Sequence, residues 1–215
     1  MVATGPTPRQ FVDMSCAEFI AALGSKAPVP GGGGASALVG AMGIALGHMV
    51  GALTIGKTEY AEAAMLRLQK EAERLQEELL ALVQQDAEAV EPFIRAYRMP
   101  QDTEVEKTEK ARALESALRG VCVAPLEIMK KCGAAIGLNK AFALMGYPPA
   151  ASDAGAGIMF CKAALFGAAI TVYINTAAMT DRTFAQKING QADALRSEYG
   201  SLADQVFETI TDQLR

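Results

Sequence analysis

Tryptophan is absent from this 215-residue chain, histidine occurs once, and the four cysteines form no C-x-x-C pair. Cys16, Cys122, Cys132 and Cys161 are scattered, and a structural zinc site needs four closely spaced nitrogen or sulfur ligands, so no metal is expected. Met1 to Gln10 lack the charged start and apolar stretch of a signal peptide, and reduced thiols in the cytoplasm are the simplest reading. Long runs of like charge are missing too. With 20 basic and 24 acidic side chains the net charge is −4, without the basic footprint that nucleic acid requires. Period-2 alternation is also absent, which leaves little room for strands.

What is present is helical punctuation. Ser15-Cys16-Ala17-Glu18 and Thr103-Glu104-Val105-Glu106 are capping-box patterns, and Gly24 is a stop for the first helix. Pro28 and Pro30 hold an extended linker before a second helix over about Ala35 to Ile55. Met65, Leu68, Ala72, Leu75, Leu79 and Leu82 alternate spacings of three and four, the seam of a long helix from about Glu59 that Pro92 kinks or ends. Gly120 and Pro125 interrupt the next helix, Gly146, Pro148 and Pro149 break the chain, and Ser152 and Asp153 can cap an apolar helix to about Met179. Asp181 to Leu214 is a last amphipathic stretch. The expected architecture is all-α: an antiparallel bundle of six to eight helices in a single domain over 1–215, with 1–12 a flexible N-terminus. Ala35 to Ile55 is long enough to span a bilayer, but membrane insertion draws on large apolar side chains and this stretch is mostly Gly and Ala. A buried bundle helix is expected instead, with Gly43, Gly47 and Gly51 giving it one bare face.

Gly51-Ala52-Leu53-Thr54-Ile55-Gly56-Lys57-Thr58 fits the phosphate-loop pattern letter for letter. That loop works between a strand and a helix, and here it follows a Gly/Ala helix with no strand-borne acid to hold Mg²⁺. Asp86 carries more information. Four residues on from Leu82, it either continues the seam and places a carboxylate on the buried face, for general acid–base work or in a structural ion pair, or the seam ends at Leu82 and leaves it in solvent. Pro30-Gly31-Gly32-Gly33-Gly34-Ala35-Ser36 puts free N–H groups at a helix start, a ready anion site unless it is a hinge needing positive φ. His48 and the ten methionines read as core.

Ala27 to Ala37 with its glycine run, then Leu53-Thr54-Ile55-Gly56-Lys57 with Tyr60, resembles the cyclodeaminase/cyclohydrolase family. Asp86, Ser152-Asp153-Ala154-Gly155, Val172-Tyr173-Ile174-Asn175 and Asp181-Arg182 continue the likeness in order, over roughly residues 15 to 210. The resemblance implies an all-α homodimer acting on one-carbon tetrahydrofolates. Without a transferase-like half it implies the stand-alone cyclohydrolase, which hydrolyses 5,10-methenyltetrahydrofolate to 10-formyltetrahydrofolate with no metal or cofactor. The alternatives are a formiminotetrahydrofolate cyclodeaminase or a catalytically altered folate-binding homologue. By resemblance Lys57, Asp86 and Asp153 are catalytic, while Pro30, Gly31, Gly32, Gly33, Gly34, Ser36, Tyr60 and Asn175 bind substrate. Ala52, Tyr147 with Pro149, and Thr171 stand where the family usually shows asparagine, and three lost amides imply an altered pocket.

At 1.5 Å per residue, Lys57 and Asp86 sit on the order of 43 Å apart along one continuous helix. An up-and-down trace puts Gly31–Gly34, Asp86 and Asn175 at one end and Lys57 and Asp153 at the other. A site using both sets must therefore be shared across a two-fold dimer, with the Gly43/Gly47/Gly51 face as the expected contact.

Overall fold

The computed structural model describes residues 10–57 and 62–215. Among them there is no strand. Seven α-helices follow one another: α1 (Cys16–Leu23), α2 (Gly32–Thr54), α3 (Glu62–Tyr97), α4 (Glu104–Gly120), α5 (Val123–Met145), α6 (Ala151–Ala177) and α7 (Arg182–Leu214). Single 3₁₀ turns occupy Phe11–Asp13 and Pro148–Ala150.

Side chains cap three of the described helix starts, whereas α6 begins at Ala151 without the cap expected from Ser152 or Asp153. Ser15 and Glu18, and likewise Thr103 and Glu106, exchange reciprocal side-chain to backbone hydrogen bonds, closing both capping boxes. Asp181 caps α7 by accepting from the Phe184 N–H. α3 buries Met65, Ala72, Leu75, Leu79 and Leu82 along the expected seam. Pro92 neither ends nor interrupts it, because α3 runs on to Tyr97. Pro92 and the residue one turn before it, Glu88, are both exposed, so the carbonyl that the proline leaves without a donor faces water.

Two sequence expectations need correction. Of the N-terminal stretch expected to be flexible, residues 1–9 lie outside the described residues and Phe11 is anchored: its N–H donates to Gln84 Oε1 at 3.3 Å, and its ring packs edge-on against Phe19. The Gly43/Gly47/Gly51 face is not a contact for another subunit. It is filled from within, since a Cβ at Gly43 would lie 2.8 Å from the Gly157 carbonyl of α6. At Gly47 and Gly51 it would lie 2.9 and 2.7 Å from the Phe142 ring of α5. The bare face is what allows α2 to run through the middle of the bundle, with α3, α5 and α6 around it.

α2 and α6 are antiparallel. Gly32 lies beside Thr171, and Gly43 beside Gly157 and Cys161. The start of α2 and the end of α6 therefore share one end of the bundle, and the end of α2 and the start of α6 share the other. Each of these two helices is long and apolar enough to cross a membrane, yet about half of each apolar window is buried inside the protein.

Candidate active site

The seam of α3 delivers Asp86 to the first turn of α2. Asp86 is 8% exposed, and its Oδ2 accepts the Gly34 N–H at 2.8 Å. Gly33 lies against the same carboxylate so closely that a Cβ there would stand 2.6 Å from Oδ2 and nearer still to Oδ1. The glycine run is thus part of α2 itself. None of Gly31 to Gly34 uses positive φ, so close approach of the acid, not a hinge, explains the absent side chain at 33. The anion expected at this helix start is, in part, the protein's own.

Two opposed effects set the charge of Asp86. Burial penalises the ionised form and raises its pKa above the ordinary carboxylate value, while the Gly34 N–H pulls it back down. The net shift is upward. Among the described residues no cation pairs with it. A buried carboxylate without a positive partner suits a cationic ligand, or a proton to be taken and returned.

The neighbouring positions divide into site and scaffold. Gly31 caps α2 and is half-buried, Gly32 is exposed, and both open to solvent beside Thr171. Pro30 is buried next to Gly34. Ser36 is turned away from the acid: its hydroxyl donates to the Gly32 carbonyl at 2.7 Å and fills the space above Gly167 of α6. Asn175, half-buried on the last turns of α6, donates to the Val121 carbonyl at 3.4 Å and ties the α4–α5 joint to this end.

At the opposite end, buried Thr54 donates to the Val50 carbonyl at 2.7 Å and accepts the Tyr147 N–H at 2.8 Å. This bolts the end of α2 to the turn before α6. The chain then turns through Gly56, φ +76°, and places the Lys57 ammonium 4.9 Å from the centre of the Tyr147 ring. Asp153 lies half-buried in the first turn of α6 at this same end. The phosphate-loop reading fails here on geometry, since Gly51 is inside a helix and packed against Phe142.

The structure therefore brings Asp86, Gly31–Gly34 and Asn175 to one end and Lys57 and Asp153 to the other. Tyr60 lies outside the described residues. Tyr147 was legible only as a departure from a pattern; its ring becomes the platform for Lys57 because the turn after α5 returns the chain to the end of α2. His48 is half-buried, not a core histidine.

Known proteins resemble this chain in sequence and in fold. A family model described as formiminotransferase-cyclodeaminase matches residues 15–194. The methenyltetrahydrofolate cyclohydrolase of Methylorubrum extorquens is 36% identical over 198 residues, which is 91% of this chain and 95% of that protein. The formimidoyltransferase-cyclodeaminase of Sus scrofa is 30% identical over 194 residues, 89% of this chain but 36% of that protein. The crystal structure of a formiminotetrahydrofolate cyclodeaminase from Thermotoga maritima has the same fold, with a TM-score of 0.85 at 24% identity, covering 96% of this chain and 100% of that one.

Proposed function

The chain belongs to the formiminotransferase-cyclodeaminase family, and from that premise we propose that it is a methenyltetrahydrofolate cyclohydrolase. The reaction adds water to the 5,10-methenyl bridge and yields 10-formyltetrahydrofolate. The observation that carries the reading is the buried, unpaired carboxylate of Asp86 at the glycine-lined start of α2. The substrate's amidinium bridge is a cation, so it supplies the positive partner that the protein withholds. It also brings its own electrophilic activation, and the reaction as proposed calls for no metal or cofactor.

Attack by water forms a C–O bond at the bridge carbon and releases a proton, which Asp86 accepts. Asp86 returns that proton to N5 as the C–N5 bond breaks, and the hydroxyl proton passes to solvent as the formyl C=O forms, so one proton is released overall. A carboxyl held above its ordinary pKa is better matched to that return step than a fully solvated one. Gly31, Gly32 and Asn175 line the approach and position the pterin.

Lys57 and Asp153 enter this reading through a homodimer. Met42, Met49 and Leu53 of α2, and Phe160, Ile170 and Ile174 of α6, are large, apolar and exposed. On each helix their spacing marks one stripe along its length. Covering these adjacent stripes with a second copy, helices antiparallel across the two-fold, sets the Lys57 end of one subunit against the Asp86 end of its partner. The same cover accounts for two apolar helices without a membrane. Three of the four thiols are buried and free, which suits the reducing cytoplasm.

The test is the loss of methenyltetrahydrofolate absorbance on adding purified protein. Acceleration over buffer that Asp86→Asn lowers by roughly 10² to 10⁴ supports the reading. The 30% identity to a formimidoyltransferase-cyclodeaminase favours one second reading, release of ammonia from formiminotetrahydrofolate. Ammonia production without methenyl hydrolysis would decide for it.

A further inference from the structure

Asp86 is the lower end of a longer feature. Positions 86, 93 and 97 of α3 are seven and eleven residues apart, about two and three full turns, so their side chains leave one stripe of the helix. Along the axis Phe93 and Tyr97 stand about 10 and 16 Å from Asp86. Their rings are stacked, 6.4 Å between centroids with planes 29° apart. A groove of about 500 Å³ opens beside them, walled by Pro28, Phe93, Ile94, Tyr97 and Arg98 and almost entirely apolar. Pro28 belongs to the linker that leads directly into the glycine run, so one segment borders both the groove and the acid's environment. Above the stack, the Lys110 ammonium of α4 lies 5.7 Å from the centre of the Tyr97 ring.

The sequence of chemistries along this stripe is a carboxylate, then a pair of aromatic faces, then cations. Tyr97 is 68% exposed, too open to be explained as core packing. A folate has the complementary order: a cationic one-carbon bridge at the pterin, then an aryl ring, then the glutamate carboxylates. We propose that the Phe93–Tyr97 stack, with Lys110 and Arg98 at its outer end, seats the p-aminobenzoylglutamate tail of the substrate. The inference rests on the cyclohydrolase reading and extends it from the reacting end of the molecule to the other. Stacking on the rings supplies affinity, and the two cations select the carboxylate-bearing tail.

Steady-state kinetics on methenyltetrahydrofolate and on its analogue lacking the glutamate test this. Tyr97→Ala raises KM about five- to tenfold with kcat within twofold, as expected for binding energy equally present in ground and transition states. Tyr97→Phe retains the parental KM. Lys110→Gln raises KM for the glutamate-bearing substrate and leaves KM for the shortened one unchanged. Tyr97 is surface-exposed, so circular dichroism of Tyr97→Ala should match the parent. An active parent whose KM is indifferent to Tyr97→Ala and Lys110→Gln overturns the tail seat alone. A parent without turnover of either compound overturns the functional reading, and the tail seat with it.

Discussion

Gly33→Ala isolates the contact between the glycine run and the acid. A Cβ at position 33 would lie 2.6 Å from Asp86 Oδ2, where ordinary contact begins at 3.4 Å. The carboxylate must withdraw by about 1 Å, and a 2.8 Å hydrogen bond from Gly34 stretched by that amount is lost. Losing a hydrogen bond to a charged group costs about 1.5–3 kcal/mol. Replacing glycine by alanine in a helix returns about 0.5–1 kcal/mol. The net destabilisation is about 1–2 kcal/mol, a fall in Tm of about 2–8 °C for a chain of this size. The acid also loses the one interaction that lowers its pKa, so the acid limb of the pH–rate profile moves to higher pH. Thermal unfolding and kcat/KM against pH are the assays, with Gly137→Ala on the exposed side of α5 as the control, since a Cβ there meets nothing within 4 Å. Gly33→Ala should cost tenfold or more in kcat/KM, because a base displaced by about 1 Å is out of line with the reacting water. A Gly33→Ala protein as stable as the parent and within twofold in kcat/KM would refute the reasoning.

Asp86→Asn removes a buried charge whose folded pKa is raised, so the native acid contributes least stability when ionised. The variant should be more stable than the parent at pH 7, and the gap should close as pH falls through the raised pKa; denaturant titrations at pH 7 and 4.5 measure it. Activity of the parent should fall across the same acid range, since the base must be ionised to accept a proton. Inactive Lys57→Ala and Asp86→Asn chains, mixed and refolded together, should recover activity through heterodimers that carry one intact shared site. Heterodimers that form but remain inactive would remove the shared site. Iodoacetamide at pH 8 should label Cys16 quickly and spare Cys122 and Cys161, whose thiols burial pushes up to about 11 and about 12, until the protein unfolds; intact mass resolves the adducts.

Local signals were the legible ones. Capping at Ser15 and Thr103 depends on residues three apart, and the seam of α3 depends on the helix period, so both could be read without knowing any neighbour. The same period placed Asp86 on the buried face. The purpose of the glycines could not be read this way. Period and composition show that α2 has a bare face; they do not say whether α5 and α6 or a second chain will fill it. Whether α3 would end at Pro92 or run on through it could not be read locally, because the cost of a helical proline depends on where the freed carbonyl points, and that is decided by solvent exposure. Ser36, assigned to substrate by resemblance, sits on the side of α2 that faces Gly167 of α6, a placement that only the packing of the two helices reveals.

The contact between α2 and α6 also bears on how this chain can vary. At Gly43 and Gly157 the two backbones touch, each helix occupying the space that a side chain on the other would need. Near Gly47 the same crowding involves Asn139, whose amide donates to the Gly43 carbonyl at 3.1 Å. No larger residue can enter these positions without parting the helices, so the middle of the bundle is closed to substitution. Ala52 is exposed near the end of α2, Tyr147 lies in the turn below it, and Thr171 faces the opposite end beside Gly32. Chemical novelty in such a scaffold meets least resistance at the two ends of its central helices, where Asp86 at one end and Lys57 with Tyr147 at the other lie.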